Sequence, residues 1–212
     1  MTRGRFIAFE GGEGMGKSTQ ARLLADWLQR DGVTVELTRE PGGTPGAEAI
    51  RNLLLSPPGE GWTPEAEALL FAAARADHVA RRIRPALDAG SWVVFDRFID
   101  SSRAYQAIAG GLGDDKVSQL HRIGSAGLLP DLTLLIDAPN DAVAARLAKR
   151  DGDTSDAIGG RAADYHAAVN AAFRDFANIE PDRFAVIDGS GSIEEVHQQV
   201  VAAISQRFEV TA

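Results

Sequence analysis

The sequence predicts an α/β fold in which a five-stranded parallel sheet is flanked by helices on both faces. Three observations support this prediction. Short apolar runs of strand length alternate with longer amphipathic stretches along the chain. Each apolar run is followed closely by Gly, Pro or a carboxylate, as expected for strands buried in a parallel sheet. The length of 212 residues, 44% of them hydrophobic and 25% charged, suits one globular domain, and we expect residues 1–212 to form it.

Five strands are predicted, at residues 6–9, 33–38, 92–95, 132–136 and 184–187. Helical patterns fill the intervals between them. The first pattern places Ala21, Leu24 and Leu28 on one face, and Gly32 follows as a C-terminal cap. The predicted helices are residues 18–30, 47–55, 64–89, 115–125, 140–149, 162–176 and 192–208. Strands and helices in alternation imply right-handed crossovers between parallel strands.

The charge and composition exclude several kinds of partner. A formal net charge of −8 argues against binding to long nucleic acid, because such binding neutralises many phosphates with Lys and Arg. A single nucleotide remains possible. The chain has no Cys, which excludes disulfides and thiolate metal sites. The N-terminal apolar run is too short for a signal peptide or a membrane span, so we expect a cytoplasmic protein with no membrane partner.

A glycine-rich loop follows the first predicted strand. Residues 11–18 read GGEGMGKS and match the pattern G-x-x-x-x-G-K-[ST], which surrounds phosphate oxygens with backbone N–H groups at a helix N-terminus. The fold is then that of a P-loop NTPase. Lys17 is expected to reach the β- and γ-phosphates of ATP, Ser18 to hold Mg²⁺ and Thr19 to contact the α-phosphate. The predicted ATP-binding residues are Gly11, Gly12, Glu13, Gly14, Met15, Gly16, Lys17, Ser18 and Thr19.

Other uses of a glycine-rich loop fit this sequence less well. The dinucleotide-binding pattern fails because Lys17 stands where its third glycine would be. The N-K-x-D segment of GTP switches is absent, and the His121-Arg122 pair is followed by Ile123 instead of the catalytic Asp of protein kinases. Since the loop alone does not specify a reaction, the remaining motifs must do so.

Four further segments carry a more specific pattern. They read TREPGGT at residues 38–44, LLFAAAR at 69–75, DRFIDSSRAYQ at 96–106 and PDLTLLID at 130–137. Together with FEGGEGMGKST at residues 9–19, they make the chain resemble the thymidylate kinases over nearly its whole length. Ligands bind at the carboxyl edge of a parallel sheet, so the segments that follow strands should converge on one crevice with the phosphate loop.

The resemblance implies a set of contacts to the nucleoside of dTMP. Phe71 would stack on the thymine ring, and Arg75, one helical turn further on, would donate to the base carbonyl O4. Ser102 and Gln106 would contact the base edge. Tyr105 would pack under the sugar and exclude a 2′-hydroxyl. Without the resemblance, Phe71 could equally be a core aromatic residue.

The resemblance also implies contacts to the phosphates and sugar. Glu13 would accept a hydrogen bond from the 3′-hydroxyl. Arg97 would lie between the two substrates and bridge the acceptor phosphate and the γ-phosphoryl group, while Asp96 would orient Arg97 or hold Mg²⁺ through water. Arg51 is a further candidate for the acceptor phosphate, although a solvated helix residue would look the same.

Thymidylate kinases meet the charge on the transferred group with an arginine from the phosphate loop or from a mobile lid. The phosphate loop here has no cation beyond Lys17, so the lid, about residues 149–161, would supply it, as in bacterial enzymes of this type. The available cations are Arg146, Lys149, Arg150 and Arg161. Family lids commonly read D-R-x-E, but Ala157 stands at the position of that arginine. The hypothesis is therefore that Arg150 or Arg161 takes its catalytic role.

The resemblance as a whole implies the reaction ATP + dTMP = ADP + dTDP, with Mg²⁺ as cofactor, in dTTP synthesis for DNA replication. It also implies a homodimer, for which the apolar face within residues 66–80 is a candidate surface. Two alternatives stay open: a kinase for another nucleoside monophosphate, and an ATP-binding module without transfer activity. The sequence does not identify the residues that contact adenine.

Overall fold

The computed structural model describes residues 3–139 and 157–208. Its centre is a single sheet of five strands in the order β2-β3-β1-β4-β5, and all neighbouring strands are parallel. The strands are β1 Phe6–Glu10, β2 Val35–Arg39, β3 Trp92–Asp96, β4 Leu132–Asp137 and β5 Phe184–Asp188. The predicted parallel sheet is therefore confirmed, with the second strand beginning two residues later than expected.

Eight α-helices occur within the described ranges. They are α1 Lys17–Arg30, α2 Pro45–Leu55, α3 Pro64–His78, α4 Arg84–Asp88, α5 Ile99–Ser102, α6 Asp114–Ser125, α7 Ala163–Ile179 and α8 Ile193–Phe208. Helices α2 and α3 begin alike: a threonine hydroxyl, Thr44 or Thr63, accepts a hydrogen bond from the first turn, and proline occupies the first helical position. The predicted helix at residues 140–149 lies outside the described residues.

Helices cover both faces of the sheet, because the side chains of β1 alternate between two cores. Ile7 and Phe9 pack with residues of α1 and α8, while Phe6 and Ala8 pack with Phe95 and with the segment that follows α3. No helix in the described part of the chain is long and apolar enough to span a membrane.

Two stretches depart from the predicted helices. The predicted helix at residues 64–89 contains a π-helical segment, Val79–Ile83, directly before α4. Pro85 lacks an N–H donor, and the wide turn before it lets the helical path continue past this residue. A second π-helical segment, Arg103–Ala109, continues α5, although no helix was predicted there.

Candidate active site

The phosphate loop connects β1 to α1 in the predicted position. Gly16 has a φ of 86° and caps α1, a conformation that favours glycine. A Cβ on Gly11 would lie 2.4 Å from the Ile136 carbonyl oxygen, so this position also requires glycine. Lys17 is buried and donates to the Gly12 carbonyl oxygen. Burial, and then the charge of Arg97, lowers the pKa of Lys17 to about 7. A phosphate group bound in the loop would favour the charged form of Lys17 and raise its pKa again.

Ser18 and Asp96 form the part of the site that suits a divalent cation. The Ser18 hydroxyl donates to Asp96 Oδ2 at the carboxyl end of β3. The other carboxylate oxygen, Asp96 Oδ1, is buried and has no hydrogen-bond partner among the described residues. Hard oxygen donors beside a phosphate loop are the ligands that Mg²⁺ prefers, and a cation or its water would satisfy the orphaned oxygen.

Arg97 follows Asp96 with an unusual backbone conformation. Its φ of 66° is rare for a residue with a side chain, and its N–H donates to the Phe9 carbonyl oxygen at 3.0 Å. The guanidinium donates to the Gly11 carbonyl oxygen at 3.2 Å and to Ser101 Oγ at 3.1 Å, and it lies 5.1 Å from the centre of the Tyr105 ring. The side chain is therefore held between the phosphate loop and the residues predicted to bind the nucleoside.

Glu10 positions this segment, although no role was predicted for it from the sequence. Its fully buried carboxylate accepts from Phe98 N at 2.7 Å, from Ser101 N at 3.1 Å and from Ser101 Oγ at 2.6 Å. Burial, and then the charge of Asp100, raises the pKa of Glu10 to about 7. The sequence feature that could have identified Glu10 is a carboxylate at the end of an otherwise apolar strand, because a buried carboxylate needs hydrogen-bond donors.

The predicted base-binding residues meet on the other side of Arg97. Arg75 is buried; its Nε donates to Glu40 Oε2 at 2.8 Å, and its Nη2 donates to Ser102 Oγ at 2.8 Å. Burial raises the pKa of Glu40 to about 7 against the opposing effect of Arg75. Glu40 Oε1 is buried without a partner among the described residues. Glu40 lies in the TREPGGT segment but had no predicted role.

One cavity of about 310 Å³ joins these groups. That volume lies at the lower end of the range for small-molecule sites. Its lining contains the predicted residues Glu13, Gly14, Lys17, Ser18, Arg51, Phe71, Arg75, Asp96, Arg97, Ser102, Tyr105 and Gln106. The sheet edge and helix α3 thus bring together groups that are far apart in the sequence.

Three predicted residues need separate mention. Arg51 lines the cavity and donates to the Pro41 carbonyl oxygen at 2.8 Å. Arg161 donates hydrogen bonds to both Glu67 and Tyr165. Neither Arg161 nor these partners belong to the cavity lining found among the described residues. Arg150 lies outside the described residues, as do Arg146 and Lys149. Of the predicted lid, residues 157–161 are described, and Ile158 lines the cavity.

The fold and the site define a P-loop nucleotide-binding protein whose phosphate loop opens, past an arginine, into a second compartment lined by an aromatic ring and polar groups. A family model described as thymidylate kinase matches residues 9–200. The chain belongs to the thymidylate kinase family.

Individual relatives agree with this assignment. The chain is 54% identical over 202 residues to a thymidylate kinase of Rhizorhabdus wittichii, covering 95% of this chain and 97% of that one. It is 48% identical over 207 residues to a thymidylate kinase of Bradyrhizobium sp., covering 97% and 92%. The crystal structure of the thymidylate kinase of Ehrlichia chaffeensis is similar with a TM-score of 0.78 and 33% identity, covering 95% of this chain and 99% of that one.

Proposed function

We propose that this protein transfers the γ-phosphoryl group of ATP to dTMP, yielding ADP and dTDP for dTTP synthesis. The observation that carries the proposal is the continuous cavity in which Lys17 and Arg97 are joined to Phe71 and Arg75. A phosphate loop alone would suit many NTPases. An adjoining compartment with an aromatic ring and a fixed guanidinium suits a nucleoside monophosphate as the acceptor.

The acceptor compartment suits thymine and deoxyribose. Phe71 offers a face for stacking, and Arg75 has donors left for a base carbonyl after its bonds to Glu40, to Ser102 and to the Phe98 carbonyl oxygen. Tyr105 is buried against the cavity, where it would pack under the sugar and leave no room for a 2′-hydroxyl. Glu13, also in the lining, would accept a hydrogen bond from the 3′-hydroxyl.

The transfer needs positioning and charge stabilisation more than proton abstraction. An oxygen of the dTMP phosphate forms a bond to the γ-phosphorus while the bond from that phosphorus to the β,γ-bridging oxygen breaks, and ADP leaves with the electron pair. The attacking oxygen is already anionic, so no general base is required. Lys17 holds the β- and γ-phosphates, and Arg97 aligns donor and acceptor and stabilises the charge that develops between them.

Members of this family use ATP with a divalent metal ion, and we propose Mg²⁺ here. Ser18 would ligate the ion directly, and Asp96 would hold it directly or through water, which satisfies its orphaned Oδ1. When bound, the ion neutralises phosphate charge and orients the β- and γ-phosphoryl groups.

A lid arginine is proposed as the last cation of the site. Arg150 and Arg161 are the candidates, and Arg161 would have to exchange its bonds with Glu67 and Tyr165 for a phosphate. A cation of this kind can accelerate transfer roughly 10³ to 10⁵-fold. If Arg150→Ala and Arg161→Ala each keep kcat within about threefold of wild type, neither residue has this role.

The homodimer remains a proposal as well. Helix α3 presents Leu69 with 56% of its surface exposed, within the segment predicted to form the contact. Light scattering of the purified protein tests this, with Leu69→Glu expected to shift the mass toward the monomer.

A coupled ADP-release assay tests the activity. ADP formation from MgATP should depend strictly on dTMP, with deoxyuridine, deoxycytidine and deoxyguanosine monophosphates tested in parallel. Faster turnover of another monophosphate would identify a different nucleotide kinase. ATP binding without any acceptor-dependent turnover would indicate a module without transfer activity.

A further inference from the structure

We propose that Glu67 is a positioning residue that selects the base by fixing the orientation of the Gln106 amide. This inference rests on the proposed function and deepens it. Glu67 is buried on α3 and accepts a hydrogen bond from Gln106 Nε2 at 2.9 Å. Gln106 lines the cavity, while Glu67 is not part of the lining found among the described residues.

The acceptor character of a carboxylate determines which end of the amide it attracts. An ionised carboxylate can only accept hydrogen bonds, so it attracts the amino group of Gln106 and disfavours the flipped amide. The carbonyl oxygen of Gln106 is then the group left to meet a ligand in the cavity. Glu67 therefore converts an ambiguous side chain, able to donate or accept, into an acceptor.

The second oxygen of Glu67 makes this arrangement rigid. Glu67 Oε2 accepts from Arg161, which also donates to the Tyr165 hydroxyl. The Tyr165 hydroxyl in turn donates to the backbone carbonyl oxygen of Tyr105 at 2.7 Å, next to Gln106 in the chain. Both carboxylate oxygens are thus engaged while Arg161 stays in this position, and the 11% exposure of the Glu67 side chain leaves little room for rotation. The bond from Gln106 to Glu67 Oε1 does not depend on Arg161.

Helical spacing relates Glu67 to the residues that contact the base. Glu67, Phe71 and Arg75 are separated by four residues each and so share one face of α3. Along this face, a carboxylate fixes an acceptor, an aromatic ring offers stacking, and a guanidinium supplies donors. A base with a ring N–H donor beside a carbonyl oxygen matches this pattern. Thymine and uracil have that edge, at N3 and O4, whereas cytosine has an acceptor at N3 and an amino group beside it.

The test compares dTMP with dCMP, the latter both as substrate and as a competitive inhibitor. In Glu67→Gln the new amide can donate to the Gln106 oxygen and so permits the flipped orientation. We expect KM for dTMP to rise about tenfold while kcat stays within about threefold of wild type. The ratio of kcat/KM for dTMP to kcat/KM for dCMP should fall about tenfold. Glu65→Gln is the matched control, because Glu65 lies exposed on the same helix and should retain wild-type values.

A reciprocal variant separates positioning from simple structural support. Glu67→Gln combined with Gln106→Glu again presents an acceptor to the base, because the new amide donates to the new carboxylate. Recovery of most of the dTMP preference supports the inference, and it is the deciding readout if the single variant folds poorly. The inference is overturned if Glu67→Gln has the same KM for dTMP and the same selectivity as wild type. It is also overturned if the double variant is folded and active but does not prefer dTMP. If wild-type protein does not phosphorylate dTMP, the proposed function itself fails.

Discussion

Replacing Glu10 tests whether a buried carboxylate holds Arg97, the arginine proposed to be catalytic, in place. Glu10→Ala removes the acceptor for two backbone N–H groups and one hydroxyl, those of Phe98 and Ser101. Each buried donor left without a partner costs about 1 to 3 kcal/mol, so we expect a loss of about 3 kcal/mol or more in the free energy of unfolding. This is a large share of the roughly 5 to 15 kcal/mol that stabilises a typical domain.

The same change should lower activity through Arg97. Its backbone is held at a φ of 66°, which costs about 1 to 2 kcal/mol for a residue with a side chain, and its guanidinium donates to Ser101 Oγ. Without Glu10 the segment can relax and move the guanidinium. A displacement of about 1 Å can reduce kcat about 10²-fold, and we expect an effect of that size.

Glu10→Gln separates stability from charge. Its carbonyl oxygen can still accept from Phe98 N and Ser101 N, and the Ser101 hydroxyl can rotate to accept from the new amide, so we expect a loss of only about 1 kcal/mol. The folded state raises the pKa of Glu10 from 4.5 to about 7. Folding therefore favours the protonated form, and wild-type stability should fall as pH rises from 4.5 to about 7 and then level off. Because Gln does not titrate, Glu10→Gln should lack this pH dependence of stability.

Urea unfolding at several pH values and steady-state kinetics under saturating substrates measure these effects. Glu60→Ala, at an exposed loop position, is the control and should match wild type. Glu10 has no holding role if Glu10→Ala keeps its free energy of unfolding within about 1 kcal/mol of wild type and its kcat within about threefold, because a water-filled gap would then have replaced the carboxylate at little cost.

Three further changes probe Arg97, Phe71 and His78, the buried last residue of α3. Arg97→Lys should lower kcat by about 10² or more with unchanged urea midpoint, because one ammonium cannot bridge two phosphates as a guanidinium does; near-normal turnover would contradict this. Phe71→Ala should raise KM for dTMP about 5- to 100-fold by loss of stacking, with KM for ATP as the internal control. Burial, and then the charge of Arg82, lowers the pKa of His78 from 6.5 to about 4. The unfolded chain therefore binds an extra proton between these values, so stability should fall on acidification from pH 6.5 toward 4, and His78→Gln should flatten this slope in urea unfolding.

The phosphate loop could be predicted from the sequence because the whole site is local. Its backbone donors lie in the loop between β1 and α1, and Lys17 and Ser18 are the first two residues of α1. The glycine spacing therefore predicts the required backbone. The helical segment from Ile99 to Ala109 could not be predicted in this way. It contains an Asp, two Ser and an Arg in succession, and it is covered by tertiary contacts that periodicity does not reveal.

The buried carboxylates were missed for a related reason. Glu10 bonds to a residue 88 positions away, Glu40 to one 35 positions away and Glu67 to one 39 positions away. Each reads locally as a strand end or a polar helix residue. Arg75 and Gln106, the partners of Glu40 and Glu67, and Arg97, which Glu10 reaches through Ser101, were identified by motif resemblance. That resemblance describes what would touch the ligand and not what holds those groups.

These carboxylates do more than neutralise the cations of an acidic chain. A guanidinium has five donors and an amide can donate or accept, so neither chooses a ligand unless some of its groups are already taken. Glu40 occupies Nε of Arg75, and Glu67 occupies the amino group of Gln106. Glu10 acts at one remove, through the Ser101 hydroxyl that receives Arg97. Because Glu40 and Glu67 remove such alternatives, their loss should appear in the selectivity among bases, while the cations proposed to bind phosphate remain in the cavity. The loss of Glu10 should appear in the position of Arg97 and in the free energy of unfolding.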